Sequence, residues 1–193
     1  MFSLISGFWQ YLFTKPRLNI LIIGLDYSGK TTLLEKIKGK FGRMASIPPE
    51  KIPPTIGMNL ARIEYAGHAV VIWDLGGQIK MRNIWENYYS EANGIIFVVD
   101  SCDINRLEEA KLAYEAVFDH DSVRNIPIYI YANKQDLMGA LSPGELAINF
   151  YTVQDSADRS RVLPVSALTG DGLEVAMNAV IEGAKRSIRT LSR

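Results

Sequence analysis

The feature that most constrains this chain is the stretch GLDYSGKT, residues 24–31, which satisfies the pattern G-x-x-x-x-G-K-[ST]. An almost wholly apolar run, residues 18–25, precedes it and has the composition of a parallel strand covered on both faces. Residues 31–40, which follow, have the pattern of a helix. A strand, a glycine-rich turn and a helix in this order direct backbone N–H groups and a helix N-terminus at an anion. We therefore predict that residues 24–31, the phosphate loop, bind the phosphates of a nucleotide.

The phosphate loop contains the residue types that such binding requires. Backbone N–H groups of residues 26–31 would surround the β-phosphate, and Lys30 would reach the β- and γ-phosphate oxygens. The Thr31 hydroxyl would bind Mg²⁺, which is the expected cofactor. The alternative is a glycine-rich turn that contains Lys-Thr by chance, and the flanking strand and helix argue against it. The nucleotide-binding residues predicted here are Gly24, Asp26, Tyr27, Ser28, Gly29, Lys30, Thr31 and Thr32.

The rest of the chain alternates strands with helices. Two β-rich runs, residues 58–65 and 68–75, are joined by Ala66 and Gly67 and indicate an antiparallel hairpin. Three later buried runs are each followed by a segment of helical length, of which the first is residues 105–118 and the second opens with Ser142 and Glu145, a pair that can form a capping box. This order predicts an α/β fold with a six-stranded, mostly parallel sheet and helices on both faces. We expect residues 17–193 to form this domain and residues 1–16 to form a separate N-terminal helix and linker.

Charge and cysteine content exclude several classes of protein. Lys+Arg and Asp+Glu are both 21, so no net charge attracts nucleic acid and we expect none as a partner. The single cysteine, Cys102, cannot form a disulfide within the chain, and the two histidines leave no zinc-binding pattern. The N-terminal apolar run is shorter than the roughly 20 residues that span a membrane. We expect a cytoplasmic monomer.

The tetrapeptide NKQD, which follows a buried strand, indicates which base is bound. A carboxylate accepts hydrogen bonds from both N1–H and N2–H₂ of guanine, an edge that adenine lacks, so Asp136 would select guanine. Asn133 would tie this segment to the phosphate loop, and the stem of Lys134 would cover one face of the base. The later tripeptide SAL would offer the Ala167 N–H to guanine O6. Each motif alone is typical of a surface turn, but their order at strand ends favours base binding by Asn133, Lys134, Asp136, Ser166, Ala167 and Leu168.

The segment WDLGGQ, residues 73–78, completes the expected site. Asp74 would support Mg²⁺ from a strand end, and a backbone N–H at Gly77 would meet a γ-phosphate. Gln78 is the candidate catalytic residue, because its amide can orient an attacking water. Residues 42–57, the proline-rich loop, contain four prolines that exclude helix and central strand, and Thr55 within them would offer a second hydroxyl to the metal. The predicted metal ligands are Thr31 and Thr55.

These residues together resemble the small GTPases of the ADP-ribosylation factor (Arf) and Arf-like type. The motifs that carry the resemblance are GLDYSGKTT, PTIGMN, WDLGGQ, NYY, FVVDS, NKQD and SALTGDGL. The resemblance implies a P-loop small GTPase fold and a switch that alternates between GDP and GTP and hydrolyses GTP slowly. Its partners would be an exchange factor, a GTPase-activating protein and effectors. It also implies that GTP makes the hairpin slide in register and expel the N-terminal helix toward a membrane.

The first residues bear on membrane binding. Apolar residues in 1–16 recur at helical spacing with polar residues opposite, which is typical of an amphipathic membrane helix. The alternative is a helix that stays packed on the domain. Phe2 stands where many Arf proteins have the glycine that is myristoylated. The start MFSLISG instead resembles the Arf-related-protein branch, which implies an acetylated Met1, an integral membrane receptor, a peripheral location on Golgi and trans-Golgi membranes, and a role in vesicle traffic.

Two further features leave alternatives open. Tyr27 stands where the family has a small residue, and it would crowd the γ-phosphate or an activating protein. This favours a second hypothesis, a GTP-bound scaffold with little hydrolysis. A third, an ATPase or nucleotide kinase, is disfavoured by Asp136. The family's effector surface corresponds to Met58, Trp73 and Tyr88, for which ordinary packing beneath the switches is the alternative.

Overall fold

The computed structural model describes residues 17–150 and 160–191 and has the α/β architecture predicted from the sequence. Its six-stranded sheet has the order β2-β3-β1-β4-β5-β6, in which β2 is antiparallel to β3 and the other pairings are parallel. The strands are β1 (Arg17–Ile23), β2 (Met58–Tyr65), β3 (His68–Leu75), β4 (Gly94–Asp100), β5 (Ile128–Asn133) and β6 (Ser160–Pro164). The helices are α1 (Lys30–Phe41), α2 (Glu86–Tyr89), α3 (Leu107–Phe118), α4 (Pro143–Phe150) and α5 (Leu173–Leu191). The predicted N-terminal helix, and hence the boundary after residue 16, lies outside the described residues.

The apolar strands contribute side chains to two hydrophobic cores, one on each face of the sheet. Side chains of successive strand residues point to opposite faces of the sheet. The continuous apolar runs of β1 and β4 therefore contribute residues to both cores. On one face, strand residues pack with Leu33 of α1 and Val180 of α5. On the other, Phe97 of β4 packs with Tyr114 of α3 and Phe150 of α4. The prediction of helices on both faces is therefore confirmed. None of the helices described here combines the length and the apolar character needed to cross a membrane.

The hairpin β2–β3 has a register set by its two-residue turn. Ala66 and Gly67 both have positive φ, 48° and 77°, which is the backbone of the tight turns that suit a twisted hairpin. The turn pairs Tyr65 with His68, and the ladder then pairs Asn59 with Asp74. Both strands have the predicted bounds. The turn thereby places a second polar side chain beside the carboxylate that was predicted to support a metal.

Two segments differ from the expected bounds. The segment expected to be helical from residue 105 begins as a 3₁₀ turn, Ile104–Arg106, before α3. The proline-rich loop is not wholly irregular, because Pro49–Lys51 form a 3₁₀ turn. A proline in the first turn of a helix loses nothing by lacking an N–H, since that N–H would have no partner within the helix. The four prolines thus exclude a long helix but not a single turn.

Phe97→Ala should destabilise the fold strongly. The Phe97 side chain is fully buried at the centre of the sheet and contacts Tyr114 edge to face at a ring distance of 5.6 Å. Urea unfolding should show a loss of about 3–5 kcal/mol in the free energy of unfolding, because the truncation leaves a cavity. Leu112→Ala on the exposed face of α3 is the control and should cost less than about 0.5 kcal/mol. Equal losses in the two variants would contradict the assignment of the core.

Candidate nucleotide-binding site

The phosphate loop lies between β1 and α1, and its two pattern glycines are sterically required. Gly24 has φ of 137°, and a Cβ there would collide with the Val98 carbonyl oxygen of β4. Gly29 has φ of 91°, and a Cβ there would collide with the Asn133 side-chain amide. L-residues with side chains rarely adopt either backbone conformation. The spacing of the glycines therefore follows from the two places where the loop approaches β4 and β5.

Lys30 is directed into the curl of the phosphate loop. Its Nζ donates to the Leu25 carbonyl oxygen at 2.6 Å, and the Ser28 hydroxyl donates to the same oxygen at 2.8 Å. Burial lowers the pKa of the Lys30 ammonium to about 8, although the Asp74 carboxylate opposes the shift. A buried cation of this kind is stabilised by an anion in the loop.

A cluster of hydroxyls surrounds the buried carboxylate of Asp74. Thr31 Oγ1 donates to Asp74 Oδ2 at 2.7 Å and lies 2.7 Å from Thr55 Oγ1. Asn59 Nδ2 donates to both Thr55 Oγ1 at 3.0 Å and Asp74 Oδ2 at 3.1 Å. The structure therefore brings together Thr31 of α1, Thr55 of the proline-rich loop and Asp74 of β3, as the sequence predicts.

The donors at this cluster fit a hard cation. Asp74 is fully buried, and its Oδ1 has no hydrogen-bond partner among the described residues. Burial raises the pKa of the Asp74 carboxyl, and the hydrogen bonds from Thr31 and Asn59 and the charge of Lys30 oppose that shift only in part. Residues 17–150 and 160–191 contain no group of three His, Cys, Asp or Glu side chains able to hold a metal. A cation here would bind the Thr31 and Thr55 hydroxyl oxygens, with the Asp74 carboxylate behind them, and oxygen ligands of this kind are those that Mg²⁺ prefers.

A cavity of about 280 Å³ opens beside this cluster. Gly77 forms one wall, and its Cα is so close to the phosphate loop that a Cβ would collide with backbone atoms of Gly24 and Asp26. Gln78 and Tyr27 are both exposed, and Tyr27 has φ of 62° and is 77% exposed. The cavity is lined by Asp26, Tyr27, Gly29, Lys30, Thr31, Thr32, Pro49, Ile52, Pro53, Pro54, Thr55, Gly77, Gln78 and Lys134.

The residues predicted to bind the base lie at the ends of β5 and β6, around Asn133. The Asn133 amide donates to the Ser28 carbonyl oxygen at 2.7 Å, and its oxygen accepts the Ala167 N–H at 2.9 Å. The predicted tie between NKQD and the phosphate loop is therefore present. The exposed Asp136 accepts a hydrogen bond from the Ser166 hydroxyl at 2.6 Å, which orients the carboxylate. Leu168, the residue after Ala167, is 51% exposed.

Lys134 has a role in the structure that the sequence did not indicate. Its φ is 67°, and its Nζ pairs with Asp100 Oδ2 of β4 at 2.5 Å. The ion pair connects the carboxyl ends of the neighbouring strands β4 and β5 and holds the Lys134 side chain at the rim of the cavity. Contacts of Lys134 and the other residues with a nucleotide stay predictions.

The three predicted effector residues differ in exposure. Met58 is 39% exposed, whereas Trp73 is 5% exposed and packs against Tyr88 with ring centroids 5.6 Å apart. Tyr88 is half-buried. Trp73 thus packs beneath the surface, and Met58 is the most exposed member of the set.

Sequence reasoning missed four polar residues near the site. Asn59 could have been found, because the hairpin turn places it opposite Asp74. Arg82, Arg106 and Glu109 had no such signal, since only tertiary packing brings Arg106 to Asp26 and Arg82 to Glu109. Arg106 Nη2 pairs with Asp26 Oδ1 at 2.6 Å, and Arg82 Nε donates to the Gly77 carbonyl oxygen at 2.9 Å.

Comparisons with known proteins agree with this geometry. The sequence model of the ADP-ribosylation factor family matches residues 5–184. ADP-ribosylation factor-related protein 1 of Homo sapiens is 35% identical over 191 residues, which cover 97% of this chain and 95% of that protein. ADP-ribosylation factor-like protein 3 of Saccharomyces cerevisiae is 39% identical over 190 residues, which cover 97% of this chain and 96% of that protein.

A solved structure shares the fold. It is the Arl6 BBS3 small GTPase from Trypanosoma brucei with bound nucleotide analogue GppNp, and it matches with a TM-score of 0.77 and 31% identity. The match covers 89% of this chain and 99% of that one. These similarities in sequence and fold extend over nearly the whole length of the chain and include the phosphate loop. They show that the chain belongs to the ADP-ribosylation factor family of small GTPases.

Proposed function

We propose that this GTPase is a membrane-recruited switch that regulates vesicle traffic at the Golgi and trans-Golgi membranes. One observation carries the switch itself: Thr55 and Gly77, from two separate loops, both lie against the phosphate loop, where a γ-phosphate would contact them. GTP would stabilise this arrangement and GDP would release it. The Golgi assignment is supported by the start MFSLISG and by the identity to ADP-ribosylation factor-related protein 1.

Mg²⁺ is the proposed cofactor, with Thr31 and Thr55 as its protein ligands. Asp74 would hold both hydroxyls in place through the hydrogen bonds that it accepts. When bound with the nucleotide, Mg²⁺ neutralises phosphate charge. The chain's own part is to supply the oriented hydroxyls and the Lys30 ammonium beside them.

Hydrolysis is proposed to be slow and to depend on Gln78. This side chain stands exposed at the mouth of the cavity, so its amide is free to orient a water toward the γ-phosphate. Arg82 and Arg106 lie near the phosphate loop, but Glu109 pairs with both of them. An activating protein would therefore supply the positive charge that the transition state requires. An exchange factor and effectors would complete the cycle.

The alternative function is a GTP-bound scaffold, and the position of Tyr27 favours it. The tyrosine ring is 77% exposed at the rim of the cavity, where an activating protein would need to approach. A partner that contacts this ring would bind the GTP state without hastening hydrolysis. The two functions differ in whether GTP is consumed.

Asp136→Ala should abolish the preference for guanine. Loss of a carboxylate that accepts two hydrogen bonds should weaken GTP binding by at least about 100-fold, with no comparable change for ATP. Titration with fluorescent GTP and ATP analogues measures both affinities. Asp119→Ala, at an exposed aspartate after α3, is the matched control and should bind GTP as the wild type does. Undiminished GTP affinity in Asp136→Ala would refute the guanine assignment.

Gln78→Leu should bind GTP normally but hydrolyse it about 100-fold more slowly, because the water would lose its orienting amide. Single-turnover hydrolysis by GTP-loaded protein, with and without candidate activating proteins, measures the effect. Lys80→Ala, at an exposed neighbouring residue, controls for local disturbance. Equal turnover in Gln78→Leu and wild type would remove Gln78 from the mechanism. No hydrolysis by the wild type under any of these conditions would favour the scaffold.

Membrane recruitment should depend on both nucleotide and residues 1–14. Protein from a eukaryotic host, loaded with a non-hydrolysable GTP analogue, should sediment with phosphatidylcholine–phosphatidylserine vesicles, whereas GDP-loaded protein should stay in the supernatant. A variant that lacks residues 1–14 should not sediment in either state. Equal sedimentation with GDP and the GTP analogue would contradict a helix released by nucleotide. Failure of both loaded forms to sediment would point to a protein receptor.

A further inference from the structure

A continuous chain of charged side chains connects the phosphate loop to the segment that contains Gln78. Arg106, just before α3, donates to Asp26 Oδ1 at 2.6 Å and to the Asp26 carbonyl oxygen at 3.2 Å. The same guanidinium donates through Nε to Glu109 Oε2 at 2.9 Å. Glu109 Oε1 accepts from Arg82 Nη2 at 2.5 Å, and Arg82 Nε donates to the Gly77 carbonyl oxygen at 2.9 Å. We call Asp26, Arg106, Glu109 and Arg82 the ionic chain.

Glu109 is the central member of the ionic chain. Each of its carboxylate oxygens accepts from a different arginine, so it is the group that joins the two halves. Hydrogen bonds from Arg106 and Arg82 lower the pKa of the Glu109 carboxyl, so it is ionised at neutral pH. Without Glu109, Arg82 and Arg106 would be two neighbouring cations with no common partner.

The ionic chain contributes to geometry more than to stability. The side chains of Arg106 and Glu109 are 30% and 38% exposed, and solvent screens ion pairs at that exposure. The planar guanidinium fork nevertheless fixes direction, because its donors have set angles. The ionic chain ends at the Gly77 carbonyl oxygen, which belongs to the peptide bond between Gly77 and Gln78. A change at Glu109 would therefore be transmitted to the backbone that carries the Gln78 side chain.

We propose that Glu109 is a positioning residue for GTP hydrolysis. By joining Arg82 to Arg106, it holds the Gly77 carbonyl, and hence Gln78, at a defined place relative to the phosphate loop. Glu109 does not line the cavity and would act through Gln78. This inference rests on the proposed function, in which Gln78 orients the attacking water.

Glu109→Ala tests the inference, with Glu108→Ala as its matched control. Both changes remove one carboxylate from the first turn of α3, and alanine favours helix at both positions. Glu108 is exposed and makes no ion pair with the residues that the structure describes. Hydrogen exchange of the full chain loaded with a non-hydrolysable GTP analogue gives the first readout. The peptide containing residues 76–82 should exchange about tenfold faster in Glu109→Ala than in Glu108→Ala. Equal exchange in the two variants would overturn the inference.

A double-mutant cycle with Gln78→Leu gives the second readout. Glu109→Ala alone should slow single-turnover hydrolysis about tenfold while leaving the dissociation constant for GTP unchanged. In the Gln78→Leu background the same change should have no further effect, because Glu109 acts only through Gln78. Additive losses, unchanged hydrolysis in Glu109→Ala, or a matching loss of GTP affinity would each overturn the positioning role.

The two sets of results separate the inference from the proposed function. If Gln78→Leu is slow and Glu109→Ala exchanges and hydrolyses like Glu108→Ala, the inference fails and the proposed function stands. If Gln78→Leu hydrolyses GTP at the wild-type rate, the proposed catalytic role itself fails, and the positioning role falls with it.

Discussion

The buried carboxylate of Asp74 is the constraint on which the arrangement of the site depends. A fully buried charge is costly unless hydrogen bonds or a cation compensate it. Thr31, Thr55 and Asn59 provide that compensation from α1, the proline-rich loop and β2. Since one oxygen of Asp74 accepts hydrogen bonds from all three residues, the position of the proline-rich loop depends on the charge at Asp74. Any cation that takes over part of this compensation also changes how firmly Thr55 is held.

Asn133 performs a similar task for the other half of the site. Its single side chain contacts the phosphate loop through Ser28 and the β6 end through Ala167. The amide is buried and lies against Gly29, where no larger residue fits. A nucleotide that contacts both halves of the site therefore meets two loops whose relative position Asn133 already fixes. Preorganisation of this kind lowers the entropic cost of binding.

The sequence predicted those parts of the structure that depend on local chemistry. The hairpin had its predicted bounds because Ala66 and Gly67 specify a two-residue turn. The capping box at Ser142 was equally local, since Glu145 accepts the Ser142 N–H at 2.8 Å. The ionic chain could not be predicted, because Arg106 and Asp26 are 80 residues apart in sequence. The parallel pairing of β1 and β4 brings the start of α3 beside the phosphate loop. The spacing of apolar residues along the sequence does not predict that contact.

The ionic chain also explains why two arginines so near the phosphate loop need not accelerate hydrolysis by themselves. A guanidinium stabilises a transition state when its donors are free to meet the developing charge on phosphate oxygens. Arg106 instead donates to Asp26 and Glu109, and Arg82 donates to Glu109 and the Gly77 carbonyl oxygen. To reach the phosphates, either guanidinium would first have to break its hydrogen bonds to a carboxylate and reorient. The contacts that hold the segment containing Gln78 thus keep these two guanidinium groups directed at carboxylate and carbonyl oxygens, whereas a guanidinium from a partner protein would bring donors that are free to meet the phosphate charge.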